Sequence, residues 1–170
     1  MGRDEAALAT ASEPVLRPDE ATGELVPELT GTTPGSAVAR VAATPAAVEL
    51  LATLTERHGP LLLHQSGGCC DGSAPMCYGR NEFIIGDRDV FLGLIGTADS
   101  PVPVYIGGQQ FEYWSHTHLT IDVVPGRGAG FSLEAPEGFR FLTRSRLFSD
   151  AEVDALEAAG PVARGEWQAA

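Results

Sequence analysis

Beyond residue 60 the apolar residues come in short runs, each closed by glycine or proline, a punctuation that commits this stretch to short strands. Phe83–Ile85, Val90–Leu94, Val102–Ile106, Gly130–Glu134 and Phe139–Arg144 are predicted strands. Thr117–Val124 alternates, with His118, Thr120, Asp122 and Val124 on one face and Thr117, Leu119, Ile121 and Val123 on the other. Leu61-Leu62-Leu63-His64-Gln65 reads as a buried strand. Helical signals frame this region. Thr44-Pro45 is an N-cap followed by a first-turn proline, Val48, Leu51 and Leu54 make an apolar stripe, and Gly59-Pro60 is a stop. Ser149-Asp150-Ala151-Glu152 is a capping box ahead of Val153 and Leu156, with Gly160-Pro161 ending that helix. Gly107–Ser115 has room for one or two helical turns, its Phe111, Tyr113 and Trp114 reading as core and interface material. The predicted class is α+β, a small domain of short mixed or antiparallel strands between an N-terminal and a C-terminal helix.

A chain of 170 residues supplies one such domain, expected at 38–160. Residues 1–37 carry seven acids against Arg3 and Arg17 and little apolar periodicity, so they are expected as a mostly disordered acidic arm, with room for a piece that pairs onto the core. Residues 161–170 are expected as a flexible tail. The whole chain has 23 acidic groups and 11 basic ones, all arginine, for a net charge of −12. Without lysine there is no Schiff-base amine and no Walker A loop. The acidic balance argues against nucleic acid as a partner. No G-x-G-x-x-G motif and no second domain are present to hold NAD. No apolar run approaches the roughly 18 residues of a membrane span, and the N-terminus has no signal-peptide core, so a cytoplasmic location is expected.

The chemistry concentrates in His64-Gln65-Ser66-Gly67-Gly68-Cys69-Cys70-Asp71-Gly72-Ser73-Ala74-Pro75-Met76-Cys77, where all three cysteines fall within nine positions. Gly67, Gly68 and Gly72 allow backbone conformations that a Cβ forbids, which suits a loop turning thiols and amides toward one point. Thiolates bind zinc, copper(I) or iron–sulfur clusters, and neutral imidazole suits zinc and iron. Cys69, Cys70 and Cys77, with His64 or His116 completing the set, are therefore the candidate metal ligands. His116 and His118 form an H-x-H that strand alternation would aim to one side. Small thiols packed in a core are the plainer alternative for the cysteines, and a turn is the plainer role of Asp71. Arg144 and Arg146, with Arg140 near them by alternation, could hold an anion, but are expected instead to pair across the sheet with Asp122 and Glu134. Neither a carboxylate pair nor a Ser/His/Asp arrangement is signalled.

From about Ala42 to Phe148 the chain resembles the DUF779 family of small bacterial proteins. The resemblance rests on the cysteine loop just quoted, on Phe111-Glu112-Tyr113-Trp114, on Ile121-Asp122-Val123-Val124-Pro125-Gly126-Arg127-Gly128, and on Phe131-Ser132-Leu133-Glu134 with Arg140-Phe141-Leu142-Thr143-Arg144-Ser145-Arg146. It implies an association with aldehyde and alcohol dehydrogenases, in an accessory role. The order of Thr44-Pro45-Ala46-Ala47, Gly67-Gly68-Cys69-Cys70-Asp71-Gly72 and Gly130-Phe131-Ser132-Leu133 is also similar to the HesB/IscA-type iron–sulfur carriers, which implies a HesB-like fold. Cys69 would take that family's first cysteine position. No cysteine follows Cys77, so further ligands would come from Cys77, a histidine or a second subunit of a homodimer.

Three functions follow as expectations. The first is a non-enzymatic accessory protein that binds a metal ion or iron–sulfur cluster. The second is a thiol enzyme or aldehyde-reactive sensor using the same cysteines. The third is a docking module for a dehydrogenase.

Overall fold

The computed structural model describes residues 16–18, 25–27, 29–66, 74–127 and 131–168. Gly67–Ser73, with Cys69, Cys70 and Asp71, lies outside the described residues, as does most of the acidic arm. In chain order the elements are β1 (Leu16–Pro18), β2 (Leu25–Pro27), β3 (Val41–Ala43), α1 (Pro45–His58), β4 (Leu61–Gln65), β5 (Met76–Gly79), β6 (Val90–Thr97), β7 (Ser100–Ile106), α2 (Gly108–Trp114), β8 (Thr117–Pro125), β9 (Phe139–Leu147) and α3 (Asp150–Ala158). The class is α+β, as expected. No helix of the described residues is long and apolar enough to cross a membrane.

β1 and β2 pair antiparallel. The other strands form two sheets, one ordered β5-β4-β7-β6 and the other β3-β8-β9. In the first, β4 runs parallel to β7 and antiparallel to β5. α1 packs against strands of both sheets. Its N-cap Thr44 accepts a hydrogen bond from the Ala47 N–H and donates one to Asp122 Oδ1, tying the helix start to β8. Ala47, Leu51 and Leu54 are its buried face, and they join Val41, Leu63, Val104, Ile121 and Phe141 in one core. Leu62, Phe91 and Tyr105 lie on the outer face of the first sheet, covered by Tyr78, Phe83, Ile85 and Trp167.

Several expectations are corrected. Phe83–Ile85 is not a strand but part of a turn and loop, and Phe83 and Ile85 roof the outer face of the sheet while Ile84 is exposed. Phe131–Glu134 is a turn; its alternation looks strand-like, yet the buried members are the polar Ser132 and Glu134. Residues 161–168, expected as a tail, are stitched to the first sheet. Ala163 O accepts from Phe91 N at 3.0 Å, Asp89 O accepts from Gly165 N at 2.9 Å, and the Trp167 ring stacks on Phe91 at 5.4 Å. The end of the arm is no departure: it supplies the piece that pairs onto the core, Thr30 bridging to Ala43 and Thr32 to Leu94.

The capping box of α3 is complete: Ser149 Oγ accepts from Glu152 N, and the Glu152 carboxylate accepts from Ser149 N. Ser149→Ala should lower the unfolding free energy by about 1 kcal/mol, read as a lower urea midpoint at unchanged slope. An unchanged midpoint would mean that α3 is held by packing alone.

Candidate functional site

The cysteine loop springs from the β4–β5 hairpin, where His64 pairs with Met76 and Leu63 with Cys77. Alternation sends these pairs to opposite faces. Leu63 and Cys77 belong to the core between the sheets, whereas the His64 ring sits 4.7 Å from Phe83 on the outer face.

His64 is almost fully buried at the foot of the loop, so both ring nitrogens need partners. Nε2 lies 2.9 Å from Asp89 Oδ1, and Nδ1 lies 2.8 Å from Ser66 Oγ. Asp89 is itself held, because its Oδ2 accepts the Gly86 N–H at 2.8 Å and its N–H bonds back to Gly86 O. With the Nε2–H donating to Asp89 Oδ1, the Nδ1 lone pair faces Ser66, the last described residue before Cys69 and Cys70. Chemically this is an oriented imidazole able to accept a proton or bind a metal at Nδ1.

Cys77 has a different environment. Its backbone N–H donates to Ser132 Oγ at 2.8 Å, and the Ser132 hydroxyl donates to Glu134 Oε2. Glu134 Oε1 also accepts from Phe141 N at 3.4 Å. Burial, reinforced by the nearby Glu134 charge, pushes the Cys77 thiol far above its ordinary range. Burial likewise raises the Glu134 carboxyl, against its hydrogen bonds from Ser132 and Phe141. Cys77 is thus a protonated core thiol near neutral pH. Beside it, Gln65 Oε1 accepts from Thr143 at 2.6 Å, while the buried Gln65 Nε2 has no partner among the described residues.

The two histidines of the H-x-H do not share a face. β8 begins at Thr117, so His116 sits in the preceding turn and is exposed, while His118 is buried in the strand edge-on to Phe148. Arg144 does pair with Asp122, at 2.9 Å, but Arg146 is bidentate to Glu152 and Glu134 turns inward instead of meeting an arginine.

Of the residues singled out in the sequence, the structure therefore places His64 at the loop mouth, Cys77 behind the sheet and His116 in the turn before β8. It joins His64 to two residues the sequence did not mark, Ser66 and Asp89. Asp89 is 25 residues away and stands in an ordinary turn sequence, Gly86-Asp87-Arg88-Asp89, which carries no signal of the pairing. Among the described residues, no group of three or more His, Cys, Asp or Glu side chains is placed to hold a metal ion.

Residues 50–147 match the family described as "Domain of unknown function (DUF779)". No curated protein and no solved structure gives a significant match.

Proposed function

The chain belongs to the DUF779 family, and we propose that it is a metal-binding accessory protein whose site lies at the mouth of the β4–β5 hairpin. Cys69 and Cys70 supply thiolates, and His64 supplies Nδ1. The observation that carries this reading is the 2.9 Å pairing of His64 Nε2 with Asp89. A metal-ligating histidine characteristically gives its second ring N–H to a carboxylate, which fixes the tautomer and raises the basicity of the other nitrogen. Ser66 Oγ, exposed and hydrogen-bonded to Nδ1, is the group a metal would displace. Cys77 is left out of the set, because its thiol faces the core on the other side of the sheet. The donors are soft thiolate and imidazole, which fits zinc, copper or iron, and the similarity to HesB/IscA-type carriers adds an iron–sulfur cluster as an alternative occupant. The resemblance's link to aldehyde and alcohol dehydrogenases supports service to such an enzyme.

Elemental analysis and an ultraviolet–visible spectrum of protein purified without oxygen test the reading. Stoichiometric metal is expected in the natural chain and in Cys77→Ser. It should be lost in Cys69→Ser/Cys70→Ser and in His64→Asn. Asp89→Asn should weaken metal affinity about 10- to 100-fold. Metal-free protein, or metal that survives the loop double variant, would overturn it.

The same pairing favours a second reading, in which His64 is the base that activates a loop thiol for addition to an aldehyde or for disulfide exchange. Metal-free protein with one cysteine alkylated rapidly at neutral pH, and slowly in His64→Asn, would select that reading over the first.

A further inference from the structure

Arg40 is half-buried, whereas every other arginine whose burial is described is exposed. Arg57, Arg144 and Arg146 each meet a carboxylate, in Glu137, Asp122 and Glu152. Arg40, just ahead of β3, meets none among the described residues. Its guanidinium lies 5.6 Å above the Phe111 ring, and its one hydrogen bond runs from Nη1 to Ser115 O at 3.4 Å. The backbone on both sides is fixed, since Arg40 N donates to Thr33 Oγ1 at 2.7 Å and Arg40 O accepts from Leu119 N at 3.0 Å. With one side-chain hydrogen bond among the described residues, the half-buried guanidinium keeps most of its donors open to a ligand, and its partial burial lowers its pKa.

This guanidinium opens into a cleft of about 290 Å³ between α3, the segment that follows it and the turn before β8. Phe148, Val153, Leu156 and Val162 give the cleft an apolar wall, and Arg40, Ser115, His116 and Glu157 are its polar lining. The volume sits at the lower limit of small-molecule sites, about 300 Å³.

We infer that this cleft binds a short-chain aliphatic monocarboxylate, its carboxylate on Arg40 and His116 and its alkyl chain along Phe148, Val153, Leu156 and Val162. A planar guanidinium matches one carboxylate through two parallel N–H···O bonds, and its partial burial strengthens the attraction between the two charges. Glu157, exposed on the cleft rim, disfavours a ligand with a second negative charge. The site uses none of the groups assigned to the cysteine loop, so the two readings stand or fall separately. It also gives His116 a place that the sequence pattern assigned to metal ligation.

Calorimetric titration of the full chain with hexanoate, hexan-1-ol and inorganic phosphate is the test. Hexanoate should bind saturably at one site, with hexanol and phosphate each at least tenfold weaker. Arg40→Gln should weaken hexanoate at least tenfold, about 1.4 kcal/mol. His116→Ala alters an exposed side chain, so it leaves the core untouched and should weaken hexanoate several-fold, while Glu157→Gln should tighten it. If Arg40→Gln does not fold, the His116 and Glu157 variants and the ligand comparison decide. Hexanoate binding no better than hexanol or phosphate, or binding indifferent to His116→Ala and Glu157→Gln, would overturn the inference.

Discussion

Gly93→Ala is expected to destabilise the protein by about 3–5 kcal/mol, the largest effect of any single substitution considered for this chain. Gly93 follows the bulge in β6, where Phe91 faces Tyr105 and Gly93 faces Val104, so that Leu92 is the extra residue. Its φ of +154° is a region that a side chain rarely enters. The site is also crossed by the segment Thr32-Thr33. A Cβ at Gly93 would collide with the Thr32 carbonyl oxygen and press within 3.0 Å of Thr33 Oγ1. Thr32 cannot retreat, because it exchanges two backbone hydrogen bonds with Leu94, at 2.9 and 2.8 Å. Thr33 is held as well, by a bond from its hydroxyl to Leu92 O at 2.7 Å. Both strain and collision therefore act, with no flexible side chain to absorb them. Gly35→Ala is the matched control: its φ is +83° and nothing lies within 4 Å, so strain alone applies, at about 1–2 kcal/mol. Urea unfolding of both variants measures the difference, and equal losses would show that the crossing segment yields. Because Asp89 directly precedes β6, a displaced β6 would also disturb its bond to His64, coupling this packing feature to the candidate site.

The parts of this fold legible in the sequence are those with local causes. Thr44-Pro45 and Ser149–Glu152 announce their helices through capping chemistry that needs only neighbouring residues. Thr117–Pro125 announces its strand because one face meets the core, so its alternation is a physical imprint of burial. β3 and β5 are too short to show a period, and each exists because a longer strand, β8 or β4, offers it a ladder. Phe83–Ile85 misleads because apolar residues that roof a sheet look the same in sequence as residues inside one. The site divides similarly. His64 is marked by its nearness to the cysteines, whereas Asp89 reaches it only through the first sheet and the loop before β6. Cys77 sits in the same nine-residue window as Cys69 and Cys70, but the pleat, which spacing does not reveal, turns it into the core.

The protein should lose about 2 kcal/mol of stability between pH 7 and pH 4.5 through His118 alone. Burial, then repulsion from Arg146 directly opposite on β9, lowers the His118 pKa from 6.5 to about 4, with Glu152 opposing the shift. The folded state thus prefers the neutral ring. As pH falls below 6.5 the unfolded chain takes up a proton that the folded chain refuses, so stability drops until about pH 4 and then levels off. The full shift would give about 3 kcal/mol, at about 1.4 kcal/mol per pKa unit. The smaller figure allows for solvent screening of Arg146, which is more than half exposed. Glu152, held down to about 2 chiefly by the hydrogen bond from Arg146, adds a loss of the same sign, most of which falls below pH 4.5. Glu134 acts with the opposite sign. Its raised pKa adds stability at low pH that is lost as pH rises, so the wild-type profile alone mixes these groups. His118→Leu separates them, since it keeps an apolar contact with Phe148 and removes the titrating ring. Urea unfolding at pH 7 and pH 4.5 should show the variant losing about 2 kcal/mol less than the natural chain, and parallel losses would rule His118 out as the acid-sensitive group.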